Sequence, residues 1–198
     1  MTCARDLALV ALDAPLDRWV EQGDLSLALA GAETIDLLER GALTLDDDRL
    51  VPGPEEATGD RLLDRAVAAL VRREPYETVE DWLWRHGRGL AARYVEELEN
   101  TGLAIRPRAH RFSLRSPRLV PADSPDRARA QKRWASGEPV LAALAAAAGV
   151  ADDGETQGSA DEAAATVLAA VADAVTELEA TRQRRAIENA AFDNVWRA

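Results

Sequence analysis

The stretch "LSLALAGAETIDLLER", residues 25–40, decides the fold. Its first half is apolar on nearly every side, whereas a helix at a protein surface carries a single apolar stripe. We therefore expect a helix that is buried on most sides, with other elements packed around it. Gly41 follows at once and is a typical helix-terminating residue.

Segments on both sides of this central helix also predict helices. Residues 3–12 indicate a short buried helix, and residues 13–24 a loop punctuated by Pro15 and Gly23. Three more helices are expected around residues 77–87, 90–102 and 124–134. A polar loop is expected over residues 149–162, followed by a long helix. The apolar stripe of this helix consists of Leu168, Val171, Val175 and Leu178. Its C-terminal end is expected to pack against the fold through Phe192, Val195 and Trp196.

Two segments predict small β-hairpins. Residues 42–53 hold two short apolar segments around Asp46-Asp47-Asp48, and residues 103–117 alternate apolar and polar residues around a turn. The composition, 47% hydrophobic but only 5% aromatic and rich in alanine, favours helices over sheets. We predict a mainly α fold: one globular helical domain over residues 1–198, with two small β-hairpins.

The stretch "ATGDRLLDRAV", residues 57–67, sets a flexible Thr-Gly-Asp ahead of a helical apolar pattern. A helix N-terminus attracts anions, but the carboxylate of Asp60 already supplies the negative charge, and no P-loop lysine follows. We therefore interpret Thr58 or Asp60 as a helix cap and not as part of a phosphate site.

The formal net charge of −11 argues against nonspecific binding of DNA or anionic lipid by the molecule as a whole. The charge is unevenly distributed along the sequence: the segment between Gly102 and Trp134 contains nine basic residues and only two acidic ones. Salt screens charges beyond about 8 Å, so this basic segment can act as a separate face. Pairing of its arginines with carboxylates inside the fold is the alternative.

The remaining composition predicts a cytoplasmic protein. The only cysteine, Cys3, cannot pair within the chain, and the run "LALVAL" at 7–12 is short for a signal-peptide core. No stretch approaches the roughly 20 apolar residues that span a bilayer, so we expect no transmembrane segment and at most peripheral membrane contact. Lys132 is the only lysine, and we take the arginine bias to reflect a GC-rich bacterial genome.

No pattern in the chain indicates catalysis, a metal or a cofactor. His86 and His110 lack further ligands at metal-site spacing and are interpreted as surface or turn residues. No serine lies in a nucleophile elbow, and paired carboxylates such as Glu55-Glu56 fall in loops where solvated charge is expected. Trp82 and Trp84 lie on different faces of one helix, so we expect one in the core and one partly exposed.

Several motifs in the same order resemble the Golgi phosphoprotein 3 family, of GPP34 type. "TGDRLLDRA" at 58–66 resembles it most, followed by "ERGAL" at 39–43 and "NTGLA" at 100–104, within a resemblance that spans Asp6 to Gly149. The resemblance implies a single mainly helical domain. It also implies a non-catalytic, peripheral protein that binds phosphatidylinositol 4-phosphate, an anionic phospholipid headgroup, on a basic surface; a protein partner is not identified.

The same resemblance implies the position of the headgroup site. Family arginines correspond to Ala30, Arg88 and Ala91 in this chain, and a family tryptophan corresponds to Glu21. Nearby residues offer replacements, so the expected headgroup contacts are Trp19, Arg88 and Arg93. The expected basic surface around them is Arg106, Arg108, Arg111 and Arg115. Loss of arginine contacts to a phosphate lowers affinity, since each charge-assisted bond contributes about 1.5–3 kcal/mol.

Two other functions stay open. Residues 93–118 are also typical of the recognition helix and wing of a winged-helix DNA-binding domain, in which Arg106, Arg108 and Arg111 approach phosphates. Glu96, Glu97 and Glu99 would bring carboxylates to the same groove, which disfavours nucleic acid. A protein-interaction scaffold without lipid or DNA is the third interpretation.

Overall fold

The computed structural model describes residues 2–15, 20–106, 119–151 and 160–196, with side chains up to residue 190. These ranges contain eight helices and two strand pairs, which confirms the mainly α class. The helices are α1 Cys3–Asp13, α2 Gln22–Glu39, α3 Arg61–Ala69, α4 Val79–His86, α5 Leu90–Asn100, α6 Pro125–Ala135, α7 Pro139–Ala147 and α8 Glu162–Trp196. The strands are β1 Leu43–Asp46, β2 Arg49–Pro52, β3 Ala104–Ile105 and β4 Val120–Pro121.

Helix α2 is the centre of the fold, as its sequence predicts. Every residue from Leu25 to Leu37 is buried, and α1, α3, α4, α5, α7 and α8 all pack against it. It begins at Gln22, so Gly23 lies in its first turn and not in the predicted loop. It ends as expected: Gly41 has φ +66°, and the amides of Gly41 and Ala42 donate to the carbonyls of Leu38 and Leu37. This is a Schellman motif, in which a left-handed residue satisfies the last carbonyls.

Helices α2 and α8 pack closely together at Gly31. A Cβ atom on Gly31 would lie 2.4 Å from Cγ2 of Val171, which is fully buried. A larger residue at this position would therefore require the Val171 side chain or one of the two helices to shift. Val171 belongs to the predicted apolar stripe of α8, and the other residues of the stripe, Leu168, Val175 and Leu178, are partly buried.

The C-terminal part of α8 extends away from the core, since residues 183–190 are exposed. The predicted docking of Phe192, Val195 and Trp196 lies outside the described side chains.

The first predicted hairpin is confirmed. Strands β1 and β2 are antiparallel, with Asp46 opposite Arg49 and the two residues Asp47-Asp48 forming the turn. Asp47 has φ +52°, a conformation that short polar residues tolerate. The second strand pair is also antiparallel, but it ends beyond the predicted limit at residue 117, because β3 pairs with Val120–Pro121. Residues 107–118 between them lie outside the described ranges.

The Thr-Gly-Asp stretch is a helix cap. Asp60 Oδ1 accepts hydrogen bonds from the amides of Leu62 and Leu63, and Thr58 donates to Asp64. The other carboxylate oxygen of Asp60 accepts from Arg5 Nη2 at 2.6 Å, which ties α3 to α1. The carboxylate thus occupies the place that a bound phosphate would need.

Within the described ranges, no helix combines the length and apolar character required to cross a bilayer.

Candidate functional site

The described ranges contain only some of the predicted site residues. Trp19 and three residues of the expected basic surface, Arg108, Arg111 and Arg115, lie outside them. Arg88, Arg93 and Arg106 lie within them. The structure therefore describes the predicted site at the junction of α4 and α5, where Arg88 and Arg93 lie.

Arg88 lies in the tight turn between α4 and α5, and Arg93 lies one turn along α5. Gly89 has φ +67°, which lets the chain reverse direction and begin α5 at Leu90. The Arg93 Nη2 atom donates to the Arg88 carbonyl oxygen at 2.7 Å, so the two arginines are held side by side. Both are exposed, and neither makes an ion pair with any carboxylate in the described part of the chain.

A cavity of about 400 Å³ opens beside Arg88, between the first turn of α2, the α4–α5 turn and α8. We call it the headgroup cavity because Arg88, one of the headgroup contacts that the resemblance implies, lies in its wall. Among the described residues, its walls are Gln22, Gly23, Ser26, Leu27, Trp84, Gly87, Arg88, Gly89, Ala92 and Leu178. Trp84 is half-buried here while Trp82 is fully buried, as their spacing predicts. The cavity is largely apolar, with one guanidinium group in its wall.

Two helix N-termini line this cavity. Helix α5 begins with no side-chain cap and no acidic residue in its first turn. Helix α2 begins at Gln22; the preceding residue, Glu21, makes no capping hydrogen bond, and Asp24 lies in the first turn. The partial positive charge of helix N-termini favours an anion. The Ala91 amide is already satisfied by Ser26 Oγ at 3.1 Å, a bond that fixes α5 against α2.

The resemblance implies headgroup contacts at three further positions, but the residues at these positions have no side chain that could bind a phosphate. Ala30 is fully buried beneath the α4–α5 turn. A Cβ atom built on Gly87 of that turn would lie 3.6 Å from the Cβ atom of Ala30. Ala91 is also buried. Glu21 is exposed at the start of α2 and brings a negative charge. Arg88 is thus the only cationic side chain in the described wall of the cavity.

A buried polar network lies behind the α4–α5 turn. Glu33 of α2 is fully buried; its Oε2 lies 2.6 Å from His86 Nε2, and its Oε1 accepts from the Tyr94 hydroxyl at 2.9 Å. The His86 ring stacks on Trp82 with centroids 4.1 Å apart. Burial, and the nearby Glu33 carboxylate, raise the pKa of Tyr94. The prediction of His86 as a surface or turn residue is wrong, because a partner 53 residues away holds it in the core.

The described part of the basic segment is largely neutralised by carboxylates. Arg106 Nε donates to Glu99 at 2.7 Å, and Arg127 forms two bonds with Asp13 at 2.8 and 2.9 Å. Further pairs join Arg129 to Asp126 and Arg133 to both Asp6 and Glu138. These arginines leave little free positive charge, in contrast to Arg88 and Arg93.

A second buried polar group lies at the start of α1. Asp36 accepts hydrogen bonds from the amides of Cys3 and Ala4 at 2.7 and 3.0 Å, so it caps α1 from α2. Burial raises the pKa of Asp36 to about 6. Burial also raises the pKa of the Cys3 thiol, which disfavours the thiolate that a nucleophile or metal ligand would need. The described residues hold no cluster of three or more side chains suited to a metal ion.

Comparison with known proteins gives one family. No curated protein sequence matches the chain significantly. The family model of Golgi phosphoprotein 3 (GPP34) matches residues 3–190, and so extends beyond the predicted limit at Gly149 through most of α8. Because this match covers nearly all of the 198 residues, the chain belongs to the Golgi phosphoprotein 3 (GPP34) family.

Proposed function

We propose that this protein is a non-catalytic, peripheral membrane protein that binds an anionic phospholipid headgroup at the headgroup cavity. The observation that best supports this proposal is the placement of Arg88. Its guanidinium group is exposed in the wall of the cavity and has no carboxylate partner among the described residues, and the resemblance implies a headgroup contact at this position. Membership of the Golgi phosphoprotein 3 family, whose general role is phosphoinositide binding, supports the proposal.

The charges around the cavity support an anionic ligand despite the net charge of −11. Arg88 and Arg93 are adjacent, and neither forms an ion pair with a carboxylate among the described residues, whereas Arg106, Arg127 and Arg133 each have a carboxylate partner. Guanidinium groups bind phosphate oxygens through paired, charge-assisted hydrogen bonds. Exposed carboxylates elsewhere on the molecule are screened at distances beyond about 8 Å.

The winged-helix interpretation has less support. Helix α5, the expected recognition helix, buries Leu90, Tyr94 and Leu98 against the fold. Its other face carries Glu96, Glu97 and Glu99. Glu99 forms an ion pair with Arg106, which is one of the expected phosphate contacts. A face of carboxylates repels DNA phosphates.

Liposome flotation tests the proposal. The wild-type protein should float with phosphatidylcholine vesicles that contain 20–30 mole percent of an anionic phospholipid, but not with phosphatidylcholine alone. Arg88→Glu combined with Arg93→Glu should abolish flotation and leave the circular dichroism spectrum unchanged, since both side chains are exposed.

Arg65→Glu combined with Arg73→Glu is the matched control, since it changes the net charge by the same amount. Both arginines are exposed, make no ion pair within the described ranges and do not line the cavity. This double variant should float like the wild type. If the Arg88 and Arg93 double variant floats as well as the wild type, Arg88 and Arg93 are not headgroup contacts. If the wild type never floats, even at low salt, the scaffold interpretation replaces this one.

A further inference from the structure

We infer that Arg185, in the part of α8 that projects beyond the core, is a second contact of this protein with anionic lipid phosphates. This inference rests on the proposed function, because it places Arg185 beside the membrane surface that covers the headgroup cavity. It follows from the direction of α8, from the face on which Arg185 lies and from the charge of that face.

Helix α8 leaves the core at the end of the molecule where the headgroup cavity lies. The two helices α2 and α8 are antiparallel, since Gly31 packs against Val171 whereas Gly23 packs against Leu178 and Arg182. Helix α2 begins one residue before Gly23, so the part of α8 that follows Arg182 extends past the start of α2. Gly23 and Leu178 also line the cavity. The projecting part of α8 therefore begins at the rim of the cavity.

Arg185 lies on the face of α8 that is turned toward the cavity. Residues four and seven positions apart share one face of an α-helix. Leu178, Arg182 and Arg185 have this spacing, and the first two pack against Gly23 in the cavity wall. Arg185 continues this face by about 10 Å along the helix axis beyond Leu178. A membrane that covers the cavity therefore meets Arg185 as well.

The charge of the projecting part of α8 complements an anionic lipid surface. Arg185 is exposed and forms no ion pair among the described residues, whereas Arg182 is held by Asp24 at 2.8 Å and by Glu179 at 3.5 Å. The exposed residues 183–190 contain two arginines and one carboxylate, in a chain with a net charge of −11. One arginine near an anionic membrane surface strengthens binding by about five-fold.

Neutralising two neighbouring arginines tests the inference. Arg184 is the matched control, because it is also exposed without an ion pair among the described residues but lies about 100° around the helix from Arg185. Flotation with phosphatidylcholine vesicles that contain phosphatidylserine, over a range of lipid concentrations, measures the affinity of each variant. We expect Arg185→Gln to weaken binding by about five-fold. Arg184→Gln should weaken it by less than about two-fold, because salt screens a charge that is turned away from the surface.

Fluorescent labels on α8 provide a second measurement. The only cysteine, Cys3, is buried, so a cysteine introduced at an exposed position is the one that is labelled. Asn189 lies four residues after Arg185 on the same face of α8, whereas Ile187 is 69% exposed on the opposite face. An environment-sensitive label on Asn189→Cys should shift its emission to shorter wavelength when the vesicles are added. The same label on Ile187→Cys should shift less.

The outcomes separate this inference from the proposed function. If Arg185→Gln binds as tightly as the wild type while the Arg88 and Arg93 double variant does not bind, the inference is overturned and binding at the cavity stands. Equal losses for Arg185→Gln and Arg184→Gln would indicate nonspecific attraction and would also overturn the inference, as would equal shifts of the two labels. A loss in Arg185→Gln with full binding of the double variant would support the contact on α8 and overturn the site at the cavity. Absence of binding by the wild type would overturn both proposals.

Discussion

His86 Nε2 and Glu33 Oε2 lie 2.6 Å apart in the core, with His86 7% exposed and Glu33 fully buried. Because His86 directly precedes the turn that carries Arg88, this contact fixes the start of that turn against α2. Tyr94 binds the other oxygen of the same carboxylate from α5. The network therefore joins the three helices whose ends surround the headgroup cavity.

Removing the Tyr94 hydroxyl tests the strength of this network. Tyr94→Phe deletes a hydrogen bond to a buried carboxylate and leaves Glu33 Oε1 without that partner, so we expect a loss of about 1.5–3 kcal/mol in the free energy of unfolding. Urea unfolding followed by circular dichroism measures the change. Tyr76→Phe is the control, because the Tyr76 side chain makes no hydrogen bond in the described ranges, and its effect should stay within about 0.5 kcal/mol.

The close approach of α2 and α8 makes Gly31 intolerant of a side chain. Gly31→Ala places a methyl group against Val171, and overpacking of this kind costs about 1–3 kcal/mol. Thermal unfolding of the single variants and of Gly31→Ala with Val171→Ala provides a double-mutant cycle. The second substitution should relieve the clash, so the combined loss should be smaller than the sum. Strict additivity would show that the methyl group at position 31 does not press against Val171.

The two functions of Asp60 can be separated by substitution. Asp60→Ala removes both the cap of α3 and the ion pair with Arg5, and should cost about 1–3 kcal/mol. Asp60→Asn keeps a capping oxygen and loses only the charge, so it should cost less. Thr78→Ala, which removes the cap of α4 alone, provides the comparison at about 1 kcal/mol. Equal losses for Asp60→Ala and Asp60→Asn in urea unfolding would contradict a capping role.

The buried carboxyl of Asp36 should make stability depend on pH. Its pKa is raised from 3.8 to about 6 in the folded protein, so the folded state holds the proton more tightly than the unfolded state. The stabilisation is present below about pH 4 and is lost as the pH rises through 6. Between these values, the free energy of unfolding of the wild type should fall by about 1–3 kcal/mol relative to that of Asp36→Asn. Parallel pH profiles for the two proteins would contradict this assignment.

Features set by neighbouring residues could be predicted from the sequence. The burial of α2, the glycine that ends it, the cap at Asp60 and the Asp47-Asp48 turn all follow from local spacing and from the conformations that single residues prefer. The sequence does not predict the beginning of α2 at Gln22, because Gly23 is a typical loop residue. In the structure, that glycine lies where the Leu178 and Arg182 side chains of α8 pack closely against α2.

Contacts between distant parts of the chain could not be predicted in this way. Nothing near His86 in the sequence indicates that Glu33 will bind it, and Arg127 meets Asp13 across 114 residues. Nine basic residues between Gly102 and Trp134 suggest a free cationic face, yet most of the described ones have carboxylate partners. Local hydrophobic periodicity thus establishes which helices form and which of their faces are apolar. Which charges remain free, and where a cavity opens, depends on how those helices pack, because pairing and desolvation arise between residues that only folding brings together.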